Sequence, residues 1–336
     1  MPQPLISVIV PAYDQQRQLL DCLESILDQS FGGFEVIVVA DRSPECPAEV
    51  PQAGSDPRVS VLRLNAAVGV GRARNAGAAR ATGSYLLFLD ADHLLAPGSF
   101  LALADRLREF DDTAQPDLLF FGHTRLHAGR VWPGAAQGVL ARTGPGAVRA
   151  VDQPELFGVP AFVWDKLISR RLWTRAGLAF PDGRYEEVPT VHEALLRAER
   201  VAVLERELVQ LRRRQTVHPA SSPGAREFDL FDQYRRSFEL LDAAQAPAAV
   251  REQLFERMVR HYLFVLDLAG CVSRAERPQF FHRAAEHYQQ FVPAGFRRPG
   301  GRAGVKFSLL AGGVYSAFEV AKLTQIARTA VTNRLG

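Results

Sequence analysis

Asp90 and Asp92 close the apolar run Tyr85-Leu86-Leu87-Phe88-Leu89, so a strand that ends there delivers two carboxylates together at the edge of a buried sheet. Residues i and i+2 of an extended chain project to the same side, and paired oxygen ligands suit Mg²⁺ or Mn²⁺ holding a substrate's phosphates. A solvated turn after a strand would read the same way, so the surrounding elements decide between the two.

Those elements begin with an alternation. Residues 5–10, 34–39, 59–64 and 85–89 read as buried strands, with helices expected near 15–29, 71–81 and 97–110. This order implies a mostly parallel, doubly wound α/β sheet, in which ligands bind beyond the carboxyl ends of the strands. Tyr13, Asp41 and Asp92 all lie just past strand ends and are expected to converge on one crevice. From about Asp117 to Arg214 the pattern is mixed, with strands at 117–121, 201–204 and 208–212 and helices around 164–175 and 190–198. That half would shape a second substrate's pocket. The turn-rich Pro219-Ala220-Ser221-Ser222-Pro223-Gly224 ends it. Residues 1–222 are therefore expected as one domain and 223–298 as a helical domain. Residues 299–336 are expected as a basic C-terminal helix or linker, helical over about 305–334.

With 336 residues, 47% apolar and 23% charged, the chain is long enough for one large domain and a smaller one with real cores. No apolar run approaches the roughly 20 residues that span a bilayer. Met1-Pro2-Gln3-Pro4 leads into a strand without the basic and apolar stretches of a signal peptide, so the protein is expected in the cytoplasm. Cys22, Cys46 and Cys271 are scattered and indicate neither a disulfide framework nor a zinc cluster. Net charge is +3, yet residues 297–336 carry seven basic groups against Glu319, a local +6 that leaves −3 for the rest. A basic tail suits an anionic membrane at the inner face of the plasma membrane; a solvated helix face is the plainer reading.

The residues then become recognisable. Ile6-Ser7-Val8-Ile9-Val10-Pro11-Ala12-Tyr13-Asp14 is followed by Phe34-Glu35-Val36-Ile37-Val38-Val39-Ala40-Asp41-Arg42-Ser43. Next come Gly71-Arg72-Ala73-Arg74-Asn75-Ala76-Gly77, Ala81-Thr82-Gly83-Ser84-Tyr85 and Leu89-Asp90-Ala91-Asp92. In order and spacing these blocks closely resemble family 2 glycosyltransferases, whose fold is the Rossmann-like GT-A fold. Val163-Trp164-Asp165-Lys166-Leu167-Ile168 and Phe180-Pro181-Asp182-Gly183-Arg184-Tyr185-Glu186-Glu187 are similar to that family's acceptor-side blocks. The resemblance covers roughly residues 5–222. It is nearest to enzymes that build or decorate bacterial wall and capsule polymers.

The resemblance implies roles residue by residue. Pro11 and Tyr13 would line the nucleobase, Asp41 would accept a hydrogen bond from uracil N3–H, and Arg74 would brace Asp41 or the phosphates. Asp92 would ligate the cation directly, with Asp90 on the ribose or on the metal through water. Glu186-Glu187 falls where the family carries a Glu-Asp pair, whose second carboxylate is the general base of inverting enzymes; Glu187 is one methylene longer than that Asp. Trp164, Lys166 and Glu186 would lie on the acceptor side. Arg212-Arg213-Arg214-Gln215-Thr216-Val217-His218 resembles the segment that closes over the donor phosphates, with Arg214 a phosphate contact and His218 a metal or phosphate contact. Three positions depart from the family pattern: Ala40 for a first Asp, Asp14 for a common Asn, and His93 where Asp is frequent.

Rival readings fail on particular residues. Gly69-Val70-Gly71 precedes a helix as in a dinucleotide loop, but Arg74 takes the third glycine's place. No groove-reading motif or aromatic interleaving accompanies the basic runs, so nucleic acid is not an expected partner. No Gly- and Lys-rich phosphate loop follows the first strand, which sets aside a nucleotidyltransferase. The reading that remains is an inverting, Mn²⁺- or Mg²⁺-dependent hexosyl- or N-acetylhexosaminyltransferase. It would move sugar from a UDP-sugar to a hydroxyl of a cell-envelope glycan or polyol-phosphate polymer. Its rival is a catalytically inactive copy that binds nucleotide sugar as a scaffold. The C-terminal helices are the candidate contact for a partner domain or oligomer.

Overall fold

The computed structural model describes residues 3–12, 16–40, 50, 55–127, 130–134, 136–212, 225–268 and 270–321. The chain divides into two compact units, Met1–Thr216 and Val217–Gly336. The first is built on one mixed sheet. Its strands are β1 (Ile6–Ala12), β2 (Phe34–Ala40), β3 (Val59–Arg63), β4 (Tyr85–Phe88), β5 (His93–Leu95), β6 (Leu118–His127), β7 (Arg130–Pro133), β8 (Lys166–Ser169) and β9 (Val201–Arg212). Its helices are α1 (Gln16–Leu27), α2 (Val70–Arg80), α3 (Ser99–Arg108), α4 (Gln137–Thr143), α5 (Arg170–Arg175) and α6 (Glu187–Arg197). The sheet order is β3-β2-β1-β4-β8-β6-β9-β5, with β7 as hairpin partner of β6.

Strands β1 to β4 pair in parallel. Parallel strands bury both faces, which is why β1 reads as a nearly unbroken apolar run and is buried at every position. Beyond β4 the pairing turns: β8 is antiparallel to β4 and β6, β5 is antiparallel to β9, and β6 and β9 run parallel. Strand order reverses between β1 and β4, the place where an open α/β sheet leaves a crevice beyond its carboxyl ends. The chain leaves β4 at that point as Leu89-Asp90-Ala91-Asp92.

Two sequence blocks explain how β4 is held. A Cβ at Gly77 would come 2.4 Å from Ile9 Cγ2, so the missing side chain lets α2 lie directly on β1. Glu35 on β2 accepts hydrogen bonds from Ser7 Oγ (2.6 Å), Thr82 N (2.7 Å) and Thr82 Oγ1 (2.8 Å), fixing the turn into β4. Burial pushes the Glu35 carboxyl up, but these donors outweigh it and hold it below the ordinary carboxylate range.

Three sequence expectations change. Residues 164–175, expected as one helix, form β8 and then the short α5, because Leu167 and Ile168 fill the sheet between β4 and β6. Strand β9 runs unbroken for 12 residues through positions expected as two strands. The expected helix over 305–334 is interrupted: a helix over Gly301–Ala311 ends at Gly312-Gly313, with Gly313 at φ +66°, helix resumes over 315–321, and residues 322–334 lie outside the described residues.

The second unit contains α7 (Asp229–Ala243), α8 (Ala248–Asp267), α9 (Arg277–Phe291) and α10 (Gly301–Ala311). Its core is aromatic: the Phe231 ring centroid lies 4.8 Å from those of both Tyr262 and Phe280, and Phe238 stacks on Phe291 at 4.2 Å. Tyr262 Oη shares a hydrogen bond with His287 Nδ1 (2.9 Å), and Tyr234 Oη with His261 Nδ1 (3.1 Å). The start of the basic tail packs on this core, with Phe307 and Leu310 buried and Lys306 Nζ donating to Asp267 (2.6 Å). Among the described residues no helix is long and apolar enough to cross a membrane.

Candidate active site

Asp90 and Asp92 lie just past β4, and His93 opens β5. One ligand atom from each of the three lies within 4.8 Å of the others, and His93 Nε2 is 3.7 Å from Asp92 Oδ1. Asp92 and His93 are buried and Asp90 is half-buried. Behind them Cys22 Sγ sits 3.8 Å from the Asp90 carbonyl oxygen, and burial pushes its thiol far above the ordinary range, leaving it inert. Arg212, the last residue of β9, donates to the Asp92 carbonyl oxygen (3.4 Å) and to Asp21 (2.5 Å). The far end of β9 is thereby tied to the acidic pair.

Arg74 makes the central connection. It is only 4% exposed; Nη1 donates to Glu186 and Nη2 to Asp90, each at 2.6 Å. The rest of its block on α2 docks the same acidic turn. A Cβ at Gly71 would come 2.9 Å from Glu186 Cγ, so glycine makes room for that side chain. Arg72 binds Asp182 through two hydrogen bonds of 2.6 Å, and Asn75 donates to Phe180 O (2.8 Å) while accepting from Phe180 N (2.9 Å). These contacts hold a turn in which Tyr185 sits at φ +59°, a left-handed conformation that costs a non-glycine residue about 1–3 kcal/mol.

The turn delivers Glu186 and Glu187 to the start of α6. Glu186 is 2% exposed; burial, then the charge of Glu187, pushes its carboxyl up to about 7 against the pull of Arg74. Glu187 is half-buried, and burial raises its carboxyl as well, with Arg74 opposing and Asp90 adding to the rise. Carboxyls whose proton affinity is raised toward neutrality are suited to proton transfer.

The acceptor-side expectations fare differently from one another. Lys166 is fully buried: strand β8 carries it into the sheet interior, where Nζ donates to Phe162 O and to the Asp165 carboxylate and lies 4.8 Å over the Phe120 ring. An acceptor contact through Lys166 is therefore corrected to an internal one that secures the turn before β8. Trp164 is a buried wall, stacked on Phe162 at 4.5 Å and met edge-on by His93 at 4.8 Å and by His123 at 4.6 Å. Burial, then the charge of Arg125, lowers His123 to about 4, so it is neutral. Pro11 is buried in β1, paired in register with Val39. Tyr13, Asp41, Arg214 and His218 lie outside the described residues. In the sequence His93 stood out only as a departure from the family pattern directly after the acidic pair, with no ligand role; its adjacency was the available signal.

Residues 7–142 match the family described as Glycosyl transferase family 2. The chain is 28% identical over 277 residues to the uncharacterized glycosyltransferase EpsJ of Bacillus subtilis, covering 80% of this chain and 79% of that one. Among solved structures, S. aureus TarS 1-349 in complex with UDP-GlcNAc is similar with a TM-score of 0.72 at 20% identity, over 96% of this chain and 91% of that chain. The mannosyltransferase PcManGT from Pyrobaculum calidifontis, in complex with GDP-Man and Mn²⁺, gives 0.50 at 17% identity over 97% and 87%. The architecture is thus the α/β GT-A fold with a C-terminal helical region. By its fold, by the match over residues 7–142 and by its relatives, the chain is a glycosyltransferase that resembles family 2.

Proposed function

We propose that this glycosyltransferase is inverting and metal-dependent, and moves a hexosyl or N-acetylhexosaminyl group from a UDP-sugar to a hydroxyl of a cell-envelope glycan or polyol-phosphate polymer. The observation that carries the reading is the Arg74 guanidinium, which joins Asp90 beyond β4 to Glu186 beside the proposed base. Transfer needs donor and acceptor groups held at a set separation, and one buried arginine bonded to both loops supplies that constraint. UDP as the nucleotide is supported by the fold neighbour TarS, whose structures hold UDP-GlcNAc and UDP.

A divalent cation fits the residues present, since two carboxylates and an imidazole converge at Asp90, Asp92 and His93. Asp92 and Asp90 would hold it, and it would supply positive charge at the donor's diphosphate. The Mn²⁺ complex of the mannosyltransferase neighbour supports the same assignment. Glu187 is assigned as base because Glu186 is buried and committed to Arg74, whereas Glu187 is half-buried at the start of α6. It takes the proton of the acceptor hydroxyl as that oxygen attacks the anomeric carbon. The bond to the diphosphate breaks on the opposite face, which inverts the centre. Tyr13 and Asp41 are proposed as nucleobase contacts, and Arg214 and His218 as contacts to phosphates or cation. The +6 charge of residues 297–336 supports a cytoplasmic enzyme in peripheral contact with an anionic membrane.

Glu187→Gln keeps the side chain's size but cannot accept a proton. Transfer is expected to fall about 10²- to 10⁴-fold while UDP and Mn²⁺ binding, measured by calorimetry, persists. UDP plus Mn²⁺ at a hundredfold excess over Kd should stabilise the protein by about 2.7 kcal/mol, and Asp92→Ala should abolish the metal-dependent part. Parent-rate transfer by Glu187→Gln would move the base elsewhere. Tight UDP binding with no turnover of any nucleotide sugar in a panel would favour the inactive scaffold.

A further inference from the structure

Trp132, on β7, leaves 54% of its surface in water. Single exposed aliphatics such as Val70 and Leu101 are ordinary on a protein surface. The indole is set apart by its place in the sheet. Trp132 pairs with Arg125 on β6, Arg125 with Leu211 on β9, and Leu211 with His93 on β5. Directly paired residues project from one face, so these four form a single rung leading from Trp132 to the residue that follows Asp92. With neighbouring strands about 4.8 Å apart, three spacings place the ends of the rung roughly 14 Å from each other.

Burial along the strands shows that the rung lies at the rim. Two residues inward on the same face, His123 is 1% exposed against Trp164 and Val209 is buried, whereas Arg125 is exposed and Leu211 half-buried. Register shifts between Phe121 and Gly122 and between Gly122 and His123 set which β6 residue meets Leu211. Among the described residues Arg125 makes no ion pair. A flat aromatic face beside an uncommitted guanidinium is the donor set for a ring that carries negative charge.

We propose that Trp132 and Arg125 form an outer acceptor subsite: the indole stacks on the C–H face of a sugar ring and the guanidinium binds an anionic group of the same acceptor. The inference rests on the reading of Asp92 and Glu187 as the transfer site, and it names the acceptor class as an anionic glycan that reaches from the rim toward the acidic pair.

The chain has three tryptophans, Trp132, Trp164 and Trp173, so 5-fluorotryptophan labelling gives three ¹⁹F resonances, with that of Trp132 assigned by its loss in Trp132→Phe. Glucose 6-phosphate, glucuronate and glucose are titrated separately, the first two distinguishing a phosphate from a carboxylate as the recognised anion. The Trp132 resonance should move saturably with at least one charged probe and about tenfold more weakly with glucose, and Arg125→Gln should reduce the charged probe to the level of glucose. The proposal is overturned if no charged probe exceeds glucose, or if Arg125→Gln leaves its affinity unchanged. It is equally overturned if Trp132→Ala halves the sedimenting mass without altering probe affinity, which would make the indole a contact between copies of the chain. UDP and Mn²⁺ titrated into the same samples separate the two readings: UDP binding with a silent Trp132 removes only the subsite, and a Trp132 response without UDP binding removes only the donor assignment.

Discussion

Arg74, Glu186, Asp165 and Lys166 place charged side chains inside the sheet unit, none more than 5% exposed. The helical unit buries polar groups of another kind. Its interior pairs are Tyr262 with His287 and Tyr234 with the half-buried His261, set among phenylalanines, and its buried charged groups include Glu227 and Arg277, the latter bonded to Glu319. Burial, then the charges of Arg235 and Arg283, lowers His287 to about 4, so that pair is neutral. A buried ion pair seldom stabilises more than well-packed apolar residues of the same volume. The contrast teaches that the helical unit is packed for stability, while the sheet unit spends buried charge on position: Arg74 and Glu186 join two loops of the proposed site, and Asp165 with Lys166 secures the turn before β8.

The strongest way to break that contrast is Arg74→Met. It leaves Asp90 and Glu186 without their shared donor and is expected to destabilise the sheet unit by about 3–5 kcal/mol in urea unfolding. Combining it with Glu186→Leu should recover much of the stability and none of the transfer. A loss under 1 kcal/mol for the single variant would show that the charges are not structurally coupled.

A smaller effect lies in pH. The Glu186 carboxyl is raised from 4.5 to about 7, so between those values the folded chain holds a proton that the unfolded chain releases. Stability from this group therefore falls as pH rises through that window, by roughly 3 kcal/mol at most. His123 works the other way: lowered from 6.5 to about 4, it favours the folded state above that range and costs stability as pH falls through it. The difference between the parent and Glu186→Gln isolates the glutamate, and a difference flat from pH 4.5 to 7 would remove it as a titrating group. The smallest effect belongs to the helical unit. Tyr262→Phe deletes one hydrogen bond to His287 and should cost about 1–2 kcal/mol with transfer unchanged.

The four parallel strands were legible because burial on both faces writes them as apolar runs, and the acidic pair was legible because it closes one of them. What Arg74 touches was not. Its partners lie 16 and 112 residues away, and nothing in the spacing of charged residues selects Asp90 and Glu186 over Asp41 or a phosphate. Lys166 was read toward the acceptor from a block resembling one that faces it, but its burial follows from β8 entering between β4 and β6, a tertiary choice that a locally helical pattern conceals. The rung from Trp132 to His93 depends on register shifts in β6 that leave no trace in composition or period.

The shared guanidinium also bears on how such an enzyme changes over generations. Positions 74, 90 and 186 are expected to change as one heritable trait, because a replacement of Arg74 removes a hydrogen bond from each of two other loops at once. A library that varies position 74 alone should return almost only arginine. One that varies all three together should return survivors in matched sets, and an altered donor or acceptor preference would then arrive as a jump between such sets and not by single steps.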